Sequence, residues 1–248
     1  MRISRIFVPA IFEAGQALEV EGETSHYLKT VLRLRKGWKL ILFDGQGQEC
    51  PATVESFGRD STILRLEKPS CINRESTLEV RLALGISRGE RMDFAIQKAV
   101  ELGVHHISPL LTEFCVVRLD EDKKDVRHTH WQRVIRSAME QCGRNWMPAI
   151  DPPIPLDEWL ETRQPFGQEF VLDPVARSGL HQVTSPPQQM TLLIGPEGGL
   201  SDQERSRAIE LGFQSLRLGP RILRTETAVI AALSAVQTLW GDLGVRAD

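Results

Sequence analysis

Residues 191–204, TLLIGPEGGLSDQE, read as an apolar strand, a glycine-rich turn and a capped helix. Leu192, Leu193 and Ile194 form a short buried run, and Gly195, Pro196, Gly198 and Gly199 break it. Ser201 stands three residues before Glu204, the spacing of a capping box that opens a new helix. A phosphate-binding loop of this shape closes on Gly-Lys-Ser/Thr, and this turn has no lysine. A dinucleotide fingerprint needs G-x-G-x-x-G, which GPEGG does not match. Glu197 at the mouth of the following helix would also repel a pyrophosphate. The turn suits a neutral or cationic ligand, or it is a structural strand-to-helix connection.

A chain of 248 residues with net charge −3 holds one large domain or two small ones and is not basic throughout. No apolar run approaches the roughly 20 residues of a membrane span. The opening MRISRIFVPAIFEAG has no signal-peptide apolar core, so a cytoplasmic protein is expected. Cys50, Cys71, Cys115 and Cys142 form no C-x-x-C pair, and neither a disulfide framework nor a zinc site is expected. His105 and His106 point to opposite faces if they lie on a strand, and the HTH at 128–130 fits a solvated helix start. No metal site is expected.

Residues 1–70 read mainly as short strands, at 17–22, 38–45, 49–58 and 61–67, separated by turn signals such as Asp44-Gly45. A helix at 25–34 interrupts them, with Leu28, Val31 and Leu32 at helical spacing. This is the pattern of a small, partly closed β-barrel, followed by a linker at 67–76. From residue 78 strands alternate with helices. Strands fall at 78–86, 105–111, 169–173, 191–195 and 215–219, and helices at 91–103, 131–143, 201–212 and 225–243. A charged loop spans 118–130 and a proline-rich stretch 147–155. Alternation of this kind implies a parallel sheet covered on both faces.

The stretch LGPRILRTETAVIAAL, 218–233, repeats the strand-then-Gly-Pro turn and opens into the last helix with Thr225 as its expected N-cap. Ala228, Ala231, Ala232 and Ala235 keep that helix narrow. Arg221, Arg224 and Glu226 are costly beside so apolar a segment unless they are paired or face a ligand. In a parallel sheet both Gly-Pro turns lie at the carboxyl ends of their strands, where ligands bind. They are expected to form facing walls of one pocket.

RMDFAIQKAVELGVHHISPL (91–110), MEQCGRN (139–145) and the two Gly-Pro stretches together resemble the RsmE family of bacterial 16S rRNA uridine-N3 methyltransferases, within the SPOUT (trefoil-knot) superfamily. HYLKTVLRLRKGWKLILFDGQGQECPA (26–52) resembles that family's PUA-like RNA-binding domain. The resemblance implies an α/β fold with a PUA-like β-barrel RNA-binding domain over 1–72. A SPOUT methyltransferase domain with a C-terminal trefoil knot then spans 73–248. It implies S-adenosyl-L-methionine as cofactor, 16S rRNA in the small ribosomal subunit as partner, and a homodimer through the knot domain. The cofactor would be held by Ile194, Gly195, Pro196, Glu197, Gly198 and Gly199 on one loop. On the other it would be held by Leu218, Gly219, Arg221, Ile222, Leu223, Glu226, Thr227 and Ala228. A sulfonium cation without phosphate is compatible with an acidic, lysine-free glycine turn.

Uridine N3 carries a proton at neutral pH, so its methylation needs a base or a stabiliser of the developing anion. Glu197, Glu226 and Glu140 are the candidate bases. Arg144 and Arg224 are the candidate stabilisers, Arg144 acting across subunits from a helix end. Each also has a structural reading: Glu226 complements a helix N-terminus and Arg144 makes a helix-end contact. Lys29, Arg33, Arg35, Lys36 and Lys39 fall within eleven residues that contain no acid. They are the expected RNA contacts, or a solvated helix face. A non-catalytic RNA-binding or ribosome-assembly factor on the same fold is the alternative function.

Overall fold

Alternating apolar residues of the N-terminal strands build one curled sheet, and the uniformly apolar strands that follow build another. The computed structural model describes residues 3–117 and 120–244. The chain divides into two units: one runs to Glu75 and includes Met139–Met147, and the other holds Ser76–Ala138 and the chain from Pro148 onward.

The first unit contains β1 (Ser4–Phe7), β2 (Ala17–Glu21), α1 (Gly22–His26), a π-helical turn (Tyr27–Val31), β3 (Lys39–Phe43), β4 (Gln48–Phe57), β5 (Ser61–Leu66) and β6 (Ser70–Cys71). The strand order is β1-β3-β4-β5-β2, with β6 on β4; β1 runs parallel to β3 and the other pairs are antiparallel. Leu40 and Leu42, Cys50, Ala52 and Val54, and Leu64 and Leu66 share one core with Ile6 of β1 and Val20 of β2. Strands at the two ends of the path therefore meet in the same core, so the sheet is curled into a partly closed barrel. A register break between Val54 and Ser56 marks a bulge, which sharpens such a bend. The expected helix at 25–34 is present in two pitches over 22–31, with Leu32 as its C-cap, and the chain then turns away at Arg33, whose φ of 52° lies in the left-handed region. The expected linker carries β6, and β1 was not anticipated because four residues before a proline give too short a pattern.

The division expected at 72/73 follows chain order and takes no account of Met139–Met147. That segment joins the first unit through backbone bonds from Gly47 N to Asn145 O (3.1 Å) and from Met147 N to Gly45 O (2.9 Å). Asn145 is fully buried there, its amide donating to Glu49 and to the Ile72 carbonyl.

The second unit contains β7 (Glu79–Gly85), α2 (Glu90–Glu101), β8 (Val104–Leu111), α3 (Glu121–Cys142), β9 (Ala149–Ile150), β10 (Ile154–Pro155), α4 (Leu156–Thr162), β11 (Gln168–Leu172), β12 (Gln189–Ile194), α5 (Asp202–Glu210), β13 (Gln214–Leu216) and α6 (Thr225–Trp240). The last turn of α3, from Met139, belongs to the first unit. The sheet order is β10-β8-β7-β12-β11-β13, with β9 on β8, and every pair is parallel. Ala83, Leu110, Val171 and Leu193 of the sheet are buried with Leu156 and Leu160 of α4 and Ala208 of α5. Burying one such leucine contributes roughly 1.5–3 kcal/mol.

Four local readings are corrected. The helix expected to start at Trp131 begins at Glu121, because Asp120 caps it: its carboxylate accepts from Lys123 N at 3.0 Å. Of the expected charged loop, residues 118 and 119 lie outside the described residues, and most of the remainder is the polar first half of α3. The proline-rich stretch holds β9 and β10 along the free edge of β8. The N-cap of α6 is Arg224, and Thr225 is the first helical residue, buried rather than capping.

Candidate active site

The turn after β12 is built by close backbone packing. A Cβ on Gly85, at the end of β7, would lie 2.4 Å from Pro196 Cδ, and one on Gly195 would lie 2.9 Å from the Gly199 carbonyl carbon and the Leu200 nitrogen. Gly199 closes the turn by donating to Pro196 O at 2.8 Å, with φ of 73°. Ser201 and Glu204 form the expected capping box: Ser201 Oγ accepts from Glu204 N at 3.2 Å and Glu204 Oε2 accepts from Ser201 N at 2.8 Å. The other Glu204 oxygen accepts from Glu113 N at 2.7 Å, which fastens the segment after β8 to this helix start.

The turn after β13 opens the other wall. Gly219 has φ of 93° and open space where a Cβ would stand. Between the two turns lies a cavity of about 290 Å³, as expected from the paired Gly-Pro stretches. Ile194 to Gly199 line it, as do Leu218, Gly219, Arg221, Ile222, Leu223 and Ala228. Glu226, Thr227 and Arg224 are not in the lining. The lining also includes Leu172, Asp173 and Pro174 after β11, together with Leu200, Arg205, Leu216 and Thr225. Sequence reading missed the β11 contribution because none of the motifs that carry the family resemblance falls in residues 151–189; the signal there was the Asp173-Pro174 pair after an apolar strand.

The lining has the character of a site for an uncharged or cationic ligand. It contains no lysine. Arg205 is engaged, donating to Leu200 O at 2.6 Å and lying 3.9 Å from Asp173. Thr225 is 4 % exposed, and its hydroxyl has no hydrogen-bond partner among the described residues. Glu226 Oε2 is likewise buried without a partner among them. A buried polar group left unpaired costs about 1–3 kcal/mol, so the Thr225 hydroxyl, which lines the cavity, points to something the cavity receives. No hydrogen bond within the described residues engages the N–H of Leu218, Ile222 or Leu223, which leaves backbone donors free on this wall. Ile222, 89 % exposed, stands apolar at the rim.

Glu197 is not free. It accepts from Arg88 N at 3.1 Å and from Arg91 Nη1 at 3.2 Å. Burial pushes its carboxyl up, but bonds from its own N–H, the Arg88 N–H and Arg91 outweigh that and hold it below the usual carboxylate range. It therefore ties the turn to the start of α2. Gly198 packs on Phe114: a Cβ there would lie 2.7 Å from Phe114 Cβ.

Glu140 and Arg144 belong to the first unit. Glu140 accepts from Phe7 N at 3.2 Å, and burial raises its carboxyl above the ordinary value despite that bond. Arg144 is 5 % exposed and bonded to Glu75. Its side chain does not leave the surface as a helix-end position suggested, because the chain after Gly143 folds back onto the barrel. Of the basic run, Lys29 is engaged, donating to Gly58 O at 2.6 Å and Arg59 O at 3.0 Å. Lys39 lies 3.8 Å from Glu67, both exposed. Arg33, Arg35 and Lys36 are exposed and have no acidic partner among the described residues.

The RNA methyltransferase domain family matches residues 74–237, and the RNA methyltransferase PUA domain family matches residues 20–67. The chain is 36% identical over 242 residues to a Buchnera aphidicola (subsp. Schizaphis graminum) protein named ribosomal RNA small subunit methyltransferase E, with 98% of each covered. Among solved structures it is similar to a putative methyltransferase from Legionella pneumophila in complex with the bound cofactor SAM, at 40% identity and a TM-score of 0.94 over 98% of this chain and 100% of that one. It is also similar to a ribosomal RNA small subunit methyltransferase E from Neisseria gonorrhoeae bound to S-adenosyl methionine, at 36% identity and a TM-score of 0.89, over 98% and 100%.

Proposed function

Since the chain belongs to the ribosomal RNA small subunit methyltransferase E family, we propose that it transfers a methyl group from S-adenosylmethionine to N3 of a uridine in 16S rRNA. The fold is that of a SPOUT methyltransferase domain preceded by a PUA-like barrel. The observation that carries the reading is the orphaned Thr225 hydroxyl in an apolar, glycine-bent, lysine-free cavity. Such a cavity fits an adenosyl sulfonium better than a phosphate-bearing cofactor, since it offers backbone donors and apolar walls, holds no lysine, and has one of its two arginines, Arg205, already bonded to Leu200 O and beside Asp173. When bound, S-adenosylmethionine supplies an electrophilic methyl group.

The chain's own residues do the rest. Gly195, Gly199 and Gly219 keep the two turns in conformations that bring backbone close to the ligand. The Thr225 hydroxyl and the free N–H groups of Leu218, Ile222 and Leu223 hydrogen-bond its polar edges. Ile222 covers it from water. Glu226, whose Oε2 has no partner, takes the N3 proton of uracil. It sits in the first turn of α6, beside the N-terminal end of the helix. Arg224, exposed at the N-cap, faces the negative charge that develops on the two uracil carbonyl oxygens. Glu197 orders the glycine turn through Arg88 and Arg91. A homodimer would use α6, where Ala231, Ala235 and the half-exposed Leu239 recur every four residues on one face.

The test is methylation of small ribosomal subunits that lack the modification. A methyl on N3 blocks Watson–Crick pairing, so reverse transcription stops at the modified uridine. A new cofactor-dependent stop is expected. Cofactor binding without any stop on subunits would overturn the reading in favour of a non-catalytic RNA-binding factor.

A further inference from the structure

We propose that Trp38 is a stacking platform for an unpaired base of the RNA substrate, with Arg33, Arg35 and Lys36 holding the adjoining phosphates. The inference rests on the rRNA methyltransferase reading and adds to it the place and chemistry of contact on the first unit.

The indole is 38 % exposed although tryptophan is among the costliest side chains to leave in water. No other aromatic ring and no cation stacks on it among the described residues. Its backbone is fixed. Trp38 N donates to Arg35 O at 3.0 Å, Trp38 O accepts from Val54 N at 2.9 Å, and Gly37 N donates to Val54 O at 2.8 Å. Gly37, with φ of 83°, lets the chain turn sharply into β3 at this point. The ring is therefore presented from a rigid edge of the barrel, which lowers the entropy lost when a base stacks on it.

The charged residues that lead up to the ring are all cations. The whole chain carries −3, yet Arg33, Arg35 and Lys36 are exposed without an acidic partner among the described residues. The two other cations of the run are engaged, Lys29 with carbonyls and Lys39 with Glu67. Free positive charge is thus concentrated on the four residues that run up to Gly37 and Trp38. A free cation cluster beside an unstacked aromatic fits single-stranded nucleic acid: phosphates meet the cations and a base meets the ring. Duplex RNA offers the phosphates but keeps its bases stacked on each other.

The experiment compares the full-length wild type with Trp38→Leu, Trp38→Phe and the triple variant Arg33→Glu, Arg35→Glu, Lys36→Glu. Binding of a labelled single-stranded 16S rRNA fragment and of the same fragment in duplex is measured over a salt series. Thermal melts and cofactor affinity are measured alongside. Leucine still covers the barrel rim, so the fold should hold. Trp38→Leu should weaken single-strand binding about ten- to a hundredfold, the worth of one stacked base, with the salt slope unchanged. Trp38→Phe should stay within a few-fold of wild type, duplex binding should not respond to either change, and the triple variant should flatten the slope. A folded Trp38→Leu protein that binds the single strand like wild type overturns the inference. If the wild type methylates subunits and that variant does so with an unchanged KM, the inference falls and the enzymatic reading stands. If the wild type transfers no methyl, the enzymatic reading falls, and the fragment binding still decides the role of Trp38.

Discussion

Arg144 and Glu75 form a buried two-pronged pair: Arg144 Nε lies 3.1 and 3.0 Å from the two carboxylate oxygens, and Nη2 closes the fork. Their side chains are 6 % and 10 % exposed. The pair joins the strand-to-unit boundary of the chain to the segment that returns from α3. With Nε and Nη2 both bonded to Glu75, the two-pronged edge of the guanidinium is not open to a uracil carbonyl.

Arg144→Ala should therefore lose stability first. Removing one partner of a buried pair typically costs about 3–5 kcal/mol, because the other charge is left unpaired. Glu75→Gln should lower the melting temperature as well, and by less, since the amide can still accept one hydrogen bond. Thermal melts beside single-turnover methylation separate the roles. A catalytic Arg144 predicts a loss of rate that Glu75→Gln does not share.

Acid should weaken the first unit through Glu49. Its carboxylate accepts from Arg5 at 2.7 Å, from Arg74 at 2.8 Å and from the Asn145 amide at 3.1 Å. Burial alone would push the group up, but the bonds from Arg74, Arg5 and Asn145 outweigh it and bring it to about 2. A folded value below the ordinary 4.5 means stability that is fully present above pH 4.5 and is lost as pH falls toward 2. The loss should reach about 3 kcal/mol at most. Urea unfolding between pH 6 and pH 2, at about half-unit steps, checks it. Glu49→Gln should be less stable at neutral pH and should flatten this acid limb.

Thr225→Val should change stability and ligand affinity in opposite directions. The hydroxyl is buried and unpaired in the ligand-free chain, so replacing it with a methyl should leave the melting temperature unchanged or raised. Cofactor affinity by calorimetry should fall about three- to tenfold, the worth of one neutral hydrogen bond. Gly198→Val should behave differently: its Cβ runs into Phe114, so it should disturb the segment after β8 and lower stability together with affinity. Unaltered affinity in Thr225→Val would place the hydroxyl outside the ligand contacts.

Glu226→Gln should reduce the single-turnover rate about a hundred- to ten-thousandfold while cofactor affinity stays within a few-fold, as expected when a general base is lost. Raising the pH should partly restore the rate, because more of the uracil N3 is then already deprotonated. Glu197→Gln should instead weaken cofactor binding, since it frees the glycine turn from Arg88 and Arg91. A full rate in Glu226→Gln would remove it from proton transfer.

The sequence by itself determined the two sheets, the paired Gly-Pro turns and the capping box of Ser201 and Glu204. These depend on local rules: strand alternation, a glycine at positive φ and a hydroxyl three residues before a carboxylate. It also supplied most of the cavity lining, because consecutive residues of a turn line a pocket together. Tertiary structure alone decided which charged residues are free. Arg144 and Lys29 read as available in the sequence, and contacts 69 and 29 residues away engage them. Asp173 carried no site motif, and Thr225 read only as a helix cap; the parallel order β12-β11-β13 brings the end of β11 and the start of α6 to the same cavity. A side chain's charge is fixed by its chemistry. Whether that charge is available to a ligand depends on partners far along the chain, and local patterning does not encode them.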